Sequence, residues 1–194
     1  MPKISAPSVA EHHAAQVRAL LDATRELLRE SGKAPSMADV AARAGLARSS
    51  VYQYFSSRQT LLEGLVKDVF PRWAERITSA MAAAPTPADA VLAYASSNLD
   101  LVADGEHAVG AALATLTPGE AISAEAHQMH QQISEPLAEA LKTLGVADPE
   151  AVAELINAVV HAATRRLEAG ASREQAQASV AELLGPFVRE HGGA

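Results

Sequence analysis

Apolar positions in this chain recur at three- and four-residue spacing, and the two-residue alternation typical of strands is nearly absent. Ala, Leu, Glu, Arg and Gln, which favour helix, dominate the composition. The stretch from Glu11 to Glu30 is representative, because one helical face collects Val17, Leu20, Leu21, Thr24, Leu27 and Leu28. The pattern therefore predicts an all-α protein of about nine helices.

Glycine, proline and capping signals divide this pattern into separate helices. Gly32 ends the first helix, and Ser36 with Asp39 forms an S-x-x-D capping box that begins a short second helix ending near Ala44. Gly45 breaks the chain there, and we expect Leu46 to follow as a buried plug. Further helices are predicted at Arg48 to Tyr54, Arg58 to Ala82, Ala88 to Ala103, Glu106 to Leu116, 120–144, 149–169 and 173–190.

The two short helices around Gly45 form a helix-turn-helix pattern. Neither is long enough to be stable alone, so both need a core shared with the first helix. Polar and basic side chains would remain exposed on the second helix, and Arg, Gln and Ser are the types that reach base edges and phosphates. The following helix offers a phosphate its positive end. The candidate DNA contacts are Ser36, Arg48, Ser49, Ser50, Tyr52, Gln53, Tyr54 and Arg58.

The segment SMADVAARAGLARSSVYQYFSSRQTLLEGLV resembles the N-terminal motif of TetR-family transcriptional regulators. In that motif Ser36 stands at the family's threonine, Ala44-Gly45-Leu46 at Ala-Gly-Val, and Arg58 at the lysine. Two positions depart from it: Ala47 replaces the serine that caps the recognition helix, and Ser49 replaces a glycine. The resemblance covers about residues 11–67 and implies an N-terminal three-helix DNA-binding domain followed by a larger helical ligand-binding and dimerisation domain.

The charge distribution fits this division. The net charge is −7, but residues 1–76 carry eleven basic and eight acidic residues, whereas residues 77–194 carry five basic and fifteen acidic ones. A basic front and an acidic back indicate one module that touches a polyanion and one that does not. The chain contains no cysteine, and no apolar run predicts a signal peptide or a membrane span. We expect a cytoplasmic protein with a flexible arm at 1–10, a helix-turn-helix domain at 11–67 and an effector-binding and dimerisation domain at 68–194.

The last two helices predict a homodimer. The helix at 149–169 is apolar on two roughly opposite faces, so it is expected to be covered on two sides. The final helix supplies another apolar stripe, and the two helices of each chain would form a four-helix seam across a two-fold axis. The resemblance implies the same arrangement. The candidate interface residues are Leu155, Ala158, Ala162, Val180, Leu184 and Phe187.

A small-molecule pocket among the middle helices is implied by the family resemblance. Its candidate lining residues are Tyr94, Asn98, Leu113, Met129, His130 and Ile133. His130 lies about 40° from the centre of the apolar stripe of its helix, so we expect it to be partly buried. His12, His13 and His191 are interpreted as solvated residues near the chain ends.

Metal binding and catalysis find weaker support. Glu125, His127 and His130, with His107 and His161 as remote partners, raise the possibility of a metal site, but no third ligand is fixed by spacing. No P-loop, G-x-S-x-G, H-E-x-x-H or dinucleotide motif occurs, so we expect no enzyme and no cofactor.

The sequence therefore predicts a homodimeric repressor that binds a palindromic operator in double-stranded DNA and is released by a small-molecule effector. A constitutive DNA-binding dimer without an effector, or a metal-responsive regulator, are the alternatives. The sequence leaves open the effector, the operator, and the choice between repressor and activator.

Overall fold

The computed structural model describes residues 9–116 and 120–192, with the side chains of 120–123 excepted. All secondary structure in these residues is helical. No helix within them is long and apolar enough to cross a membrane. The described elements are α1 (Val9–Ser31), α2 (Met37–Arg43), α3 (Arg48–Tyr54), α4 (Arg58–Ala82), α5 (Pro87–Ala103), α6 (Glu106–Leu116), α7 (Glu120–Thr143), α8 (Pro149–Glu168) and α9 (Arg173–Gly192).

The all-α fold class is confirmed, and α3, α4 and α6 have the bounds that the sequence predicts. Helix α1 begins two residues before the predicted start, so Val9 and Ala10 of the predicted arm are helical. The rest of that arm, 1–8, lies outside the described residues. Helix α9 continues to Gly192, two residues past its predicted end. The observed differences are confined to helix ends, where propensity decides least.

The chain divides into two compact units, which are described separately. The first contains the described residues up to Asp68 and those of α6 from Ala108 onward. The second contains Val69–His107 and the described residues from Ser123 onward. Helix α4 contributes residues to both. The domain limits of 11–67 and 68–194 stay a prediction.

A glycine turn joins α2 to α3 in the first unit. Gly45 has a positive φ of 69°, and its N–H donates to the Ala42 carbonyl at 3.2 Å. The Leu46 N–H donates to the Ala41 carbonyl at 2.8 Å, which completes a Schellman cap. Leu46 itself is half-buried, so the expectation of a buried plug was wrong. The turn satisfies the last carbonyls of α2 and reverses the chain within a few residues.

Gly64 brings α4 close to the end of α3. A Cβ at this position would lie 2.9 Å from the Phe55 ring and 3.6 Å from Leu21. Because only glycine leaves that space free, the Phe55 ring packs directly against the α4 backbone. The buried interior of this unit includes Leu20, Val40, Val51 and Leu61, each with no exposed surface.

An ion-pair cluster ties α2 to α1. The Arg43 guanidinium donates to Glu26 at 3.0 Å and to Glu30 at 2.8 Å. The hydrogen bond from Arg43 lowers the pKa of the Glu30 carboxyl, and the two carboxylates raise the pKa of Arg43. All three side chains are substantially exposed, so the cluster fixes orientation more than it adds stability.

The core of the second unit is formed by α5, α7, α8 and α9 with the C-terminal part of α4. It includes Tyr94, Leu99, Leu137, Leu141 and Ala176, each at most 1% exposed. A polar clamp closes one end of α5: Asp104 accepts from Arg76 at 2.8 Å and from Arg173 at 2.6 Å. These hydrogen bonds, that from Arg76 foremost, lower the pKa of Asp104. The clamp connects α4, α5 and α9 within this unit.

Capping predicts opposite effects of substitution at the two short helices. Ser36 accepts from the Asp39 N–H at 3.2 Å, whereas Ala47 at the start of α3 makes no side-chain cap. We expect Ser36→Ala to lower the free energy of unfolding by about 1 kcal/mol, and Ala47→Ser to raise it by a similar amount. Urea unfolding of the free protein measures both. Ser49→Ala, exposed within α3, is the control, and equal effects for Ser36→Ala and Ser49→Ala would contradict the capping account.

Candidate functional site

Helix α3 presents a polar face to solvent. Arg48, Ser49, Tyr52 and Gln53 are exposed, and at 3.6 residues per turn they cover an arc of about 140°. Val51, outside this arc, has no exposed surface. The one face therefore collects a guanidinium, an amide and two hydroxyl groups, which are donors and acceptors suited to base edges and phosphates.

The other candidate contacts flank this face. Ser50 and Tyr54 are half-buried on the inner side of α3, while Ser36 and Arg58 are exposed. The Tyr54 ring lies 5.0 Å from the His13 ring of α1, measured between centroids. His13 is exposed, as the sequence predicts, but it lies within α1 and its ring contacts α3. The Ser36 hydroxyl is engaged with Asp39, and its hydrogen bonds lower the pKa of the Asp39 carboxyl.

Charge pairing separates the arginines of this unit into two kinds. Arg43 is neutralised by two glutamates. Arg48 and Arg58 form no hydrogen bond or ion pair with any residue that the structure describes. At the start of α4, Ser57 accepts from the Thr60 N–H at 3.1 Å, and Thr60 accepts from the Ser57 N–H at 3.0 Å. The two uncompensated cations beside a helix N-terminus make this surface attractive to a phosphate backbone.

Two of the predicted ligand-binding residues meet at a cavity of about 370 Å³ in the second unit. Tyr94 of α5, 1% exposed, donates from its hydroxyl to Asn157 Oδ1 of α8 at 3.1 Å. His130 of α7 also lines the cavity. His130 is exposed, so its predicted partial burial was wrong. Burial raises the pKa of Tyr94 to about 12.

The other predicted ligand-binding residues do not line this cavity. Asn98 donates to the Tyr94 carbonyl oxygen at 2.7 Å, a bond within α5. Ile133 is buried in the core and Met129 packs against it. Leu113 is buried in the first unit. The sequence prediction missed Asn157 and three glutamates of the lining, although the spacing of Glu150, Glu154 and Asn157 on α8 could have indicated a common face.

The predicted interface residues fall into two groups. Leu155, Ala158 and Ala162 are exposed on one face of α8, with Leu155 66% exposed. Val180 and Leu184 are buried in the core of their own chain, because they lie on the inner face of α9. Phe187 is half-buried, with the His191 ring 4.6 Å away; His191, predicted to be solvated, is half-buried too. On α9 the large hydrophobic residue that is exposed is instead Leu183, at 59%.

The described residues contain no group of three or more His, Asp or Glu side chains placed to hold one metal ion. His107 pairs with Glu168 at 2.8 Å. Burial and then the nearby positive groups, including His107 and His130, lower the pKa of His161. The metal-responsive alternative therefore has no candidate ligand set among these residues.

Comparison with known proteins finds a family match in the N-terminal part of the chain and relatives that cover most of its length. Residues 20–65 match the family model described as bacterial regulatory proteins, tetR family. An uncharacterised HTH-type transcriptional regulator of Mycobacterium tuberculosis is 29% identical over 171 residues, covering 87% of this chain and 83% of that protein. A transcriptional regulator from Rhodococcus sp. RHA1 has a similar structure, with a TM-score of 0.74, 21% identity, and coverage of 90% of this chain and 96% of that one.

A further structural neighbour is FadR of Bacillus subtilis in complex with stearoyl-CoA, with a TM-score of 0.66 and 19% identity, covering 86% of this chain and 96% of that one. The helix-turn-helix geometry and these relatives define a DNA-binding transcriptional regulator and not an enzyme. Residues 20–65 of this chain therefore carry the N-terminal domain of the tetR family of bacterial regulatory proteins.

Burial of Tyr94 predicts a stability change at alkaline pH. Because its pKa rises from 10.0 to about 12 in the folded chain, the stabilisation is complete below pH 10 and is lost as the pH rises towards 12. We expect urea unfolding to show this decline in the wild type and a smaller one in Tyr94→Phe. Tyr52→Phe, at an exposed position, should behave as the wild type; equal declines in all three proteins would contradict the prediction.

Proposed function

We propose that the protein is a homodimeric repressor that binds a palindromic operator through α3 and leaves it when a small molecule binds in the second unit. The proposal that the protein contacts DNA rests on the exposed polar face of α3, which includes the uncompensated Arg48. Arg48 and Gln53 are proposed to read base edges. Ser36, Ser49, Ser50, Tyr52, Tyr54 and Arg58 are proposed to contact bases or phosphates around them. The protein would act in the cytoplasm, where its operator lies.

The cavity beside Tyr94 is proposed as the effector site, together with His130 and Asn157. Its volume of about 370 Å³ lies within the range of small-molecule sites, roughly 300–1,000 Å³. Two structural neighbours support a ligand in this fold, since one is described with stearoyl-CoA and another, AibR, with isovaleryl coenzyme A and operator DNA. A constitutive regulator would show no effect of any ligand on operator affinity.

Helix α4 is the proposed route between effector and operator. Its residues belong to both units, so an effector that displaces its C-terminal part also acts on the part that follows α3. Pro71 lies within α4 and removes one backbone hydrogen bond from the helix. Because the effector must bind the released state more tightly than the bound state, its differential affinity sets the extent of release.

Operator selection tests the DNA-binding proposal. Selection from a random duplex pool is expected to enrich a palindrome whose half-sites lie about one helical turn apart. Arg48→Ala and Gln53→Ala should each weaken binding to it by roughly tenfold to hundredfold, because each removes a base contact. Arg189→Ala and Gln128→Ala, exposed in the second unit, are the matched controls. Non-specific binding that the α3 variants leave unchanged would refute the proposal.

A substitution on the exposed face of α8 tests the proposed dimerisation. Leu155, Ala158 and Ala162 leave an apolar stripe uncovered in the single chain, and a two-fold seam would bury it. We expect Leu155→Glu to convert the protein to a monomer by light scattering and to lose cooperative binding to the palindrome. Val9→Glu, an equivalent change at a 90% exposed residue of α1, should remain dimeric. A dimeric Leu155→Glu variant would place the interface elsewhere.

A further inference from the structure

The cavity beside Tyr94 has an apolar inner wall. Tyr94 and Leu137 are each 1% exposed, and Ala153 is 8% exposed. The polar groups at this depth, the Tyr94 hydroxyl and the Asn157 amide oxygen, already bond to each other at 3.1 Å. An apolar wall with one internally satisfied polar pair favours a hydrocarbon portion of a ligand over a charged one.

The exposed lining of the same cavity is acidic. Glu135 of α7 and Glu150 and Glu154 of α8 line it, with no lysine or arginine among the lining residues. None of the three glutamates forms an ion pair with a residue that the structure describes. This contrasts with Asp104 of the same unit, whose charge is compensated by two arginines. Three uncompensated carboxylates around one opening create a negative potential there.

The histidine of the lining, His130, forms no ion pair with these glutamates. His130 is exposed and makes no side-chain hydrogen bond with a described residue. The wider surroundings are acidic too, since residues 77–194 carry fifteen acidic and five basic residues. The described residues hold no group of three or more His, Asp or Glu side chains placed to hold one metal ion.

We propose that this cavity takes an organic cation with an apolar body, such as an alkylated amine or quaternary ammonium compound, and rejects anionic acyl-CoA thioesters. The inference rests on the proposed function, in which this cavity is the effector site. The apolar body lies along Tyr94, Leu137 and Ala153, while the cationic head remains at the opening near the glutamates. The several negative charges of coenzyme A would meet those same carboxylates, which costs binding energy.

Three ligands with the same ten-carbon chain test the charge preference on the 194-residue protein: decyltrimethylammonium and decanoyl-CoA below their micellar concentrations, and decanol below its solubility limit. Calorimetry is expected to detect binding of the ammonium compound, weaker binding of the alcohol and none of the thioester. Added salt should selectively weaken binding of the ammonium compound, because salt screens the exposed carboxylates. Tight binding of decanoyl-CoA without binding of the ammonium compound would overturn the inference and leave an effector-responsive regulator intact.

Charge-removing variants locate the binding. The double variant Glu150→Gln/Glu154→Gln should bind the ammonium compound with an affinity about tenfold lower than that of the wild type. Glu182→Gln/Glu190→Gln, which removes the same charge from exposed positions on α9, should bind as the wild type. Both variants change surface groups, and thermal unfolding checks that each retains the fold. Equal affinities in the two variants would overturn the assignment to this cavity.

Operator affinity separates the two proposals. Release of the operator by decyltrimethylammonium, with a shifted dose response in Glu150→Gln/Glu154→Gln, supports both. Binding that depends on these glutamates but leaves operator affinity unchanged supports the cation site and refutes its role as the effector site.

Discussion

The turn at Gly45 is the constraint on which the proposed DNA-contacting surface depends. Helices α2 and α3 have seven residues each, too few for either to persist in water. They are held because the turn caps α2 and because Val40 and Val51 are fully buried. Once α3 is fixed by its inner face, its outer face has a defined direction, which a base-reading helix requires.

Pairing of charges distinguishes the residues that hold this protein together from those proposed to meet a partner. Arg43 joins α1 to α2 through two glutamates, and Asp104 joins α4, α5 and α9 through two arginines. Arg48, in contrast, faces solvent on α3, and Glu150 and Glu154 face the cavity without counter-charges. An uncompensated charge of either sign is neutralised when a ligand of the opposite sign arrives, so it contributes to recognition more than to folding.

The helical framework and the side chains have separate roles in the proposed choice of effector. Structural neighbours share the fold at about one-fifth sequence identity, so the framework tolerates wide changes in the residues that line its cavities. We propose that a few positions on α7 and α8 then decide the charge of an acceptable ligand. In this chain those positions include Glu135, Glu150 and Glu154, which is the basis for expecting a cation where two neighbours are described with acyl-CoA.

The sequence by itself determined the helices, the turn at Gly45 and the composition of the α3 surface, because hydrophobic period, caps and glycines act over a few residues. Only the tertiary structure decided which helices face one another. The partnership of Tyr94 with Asn157, 63 positions apart, and the contact of His13 with Tyr54 have no local signal. The same limit applies to Val180 and Leu184: their apolar stripe was evident, but whether their own chain or a second copy covers it depends on packing between distant helices.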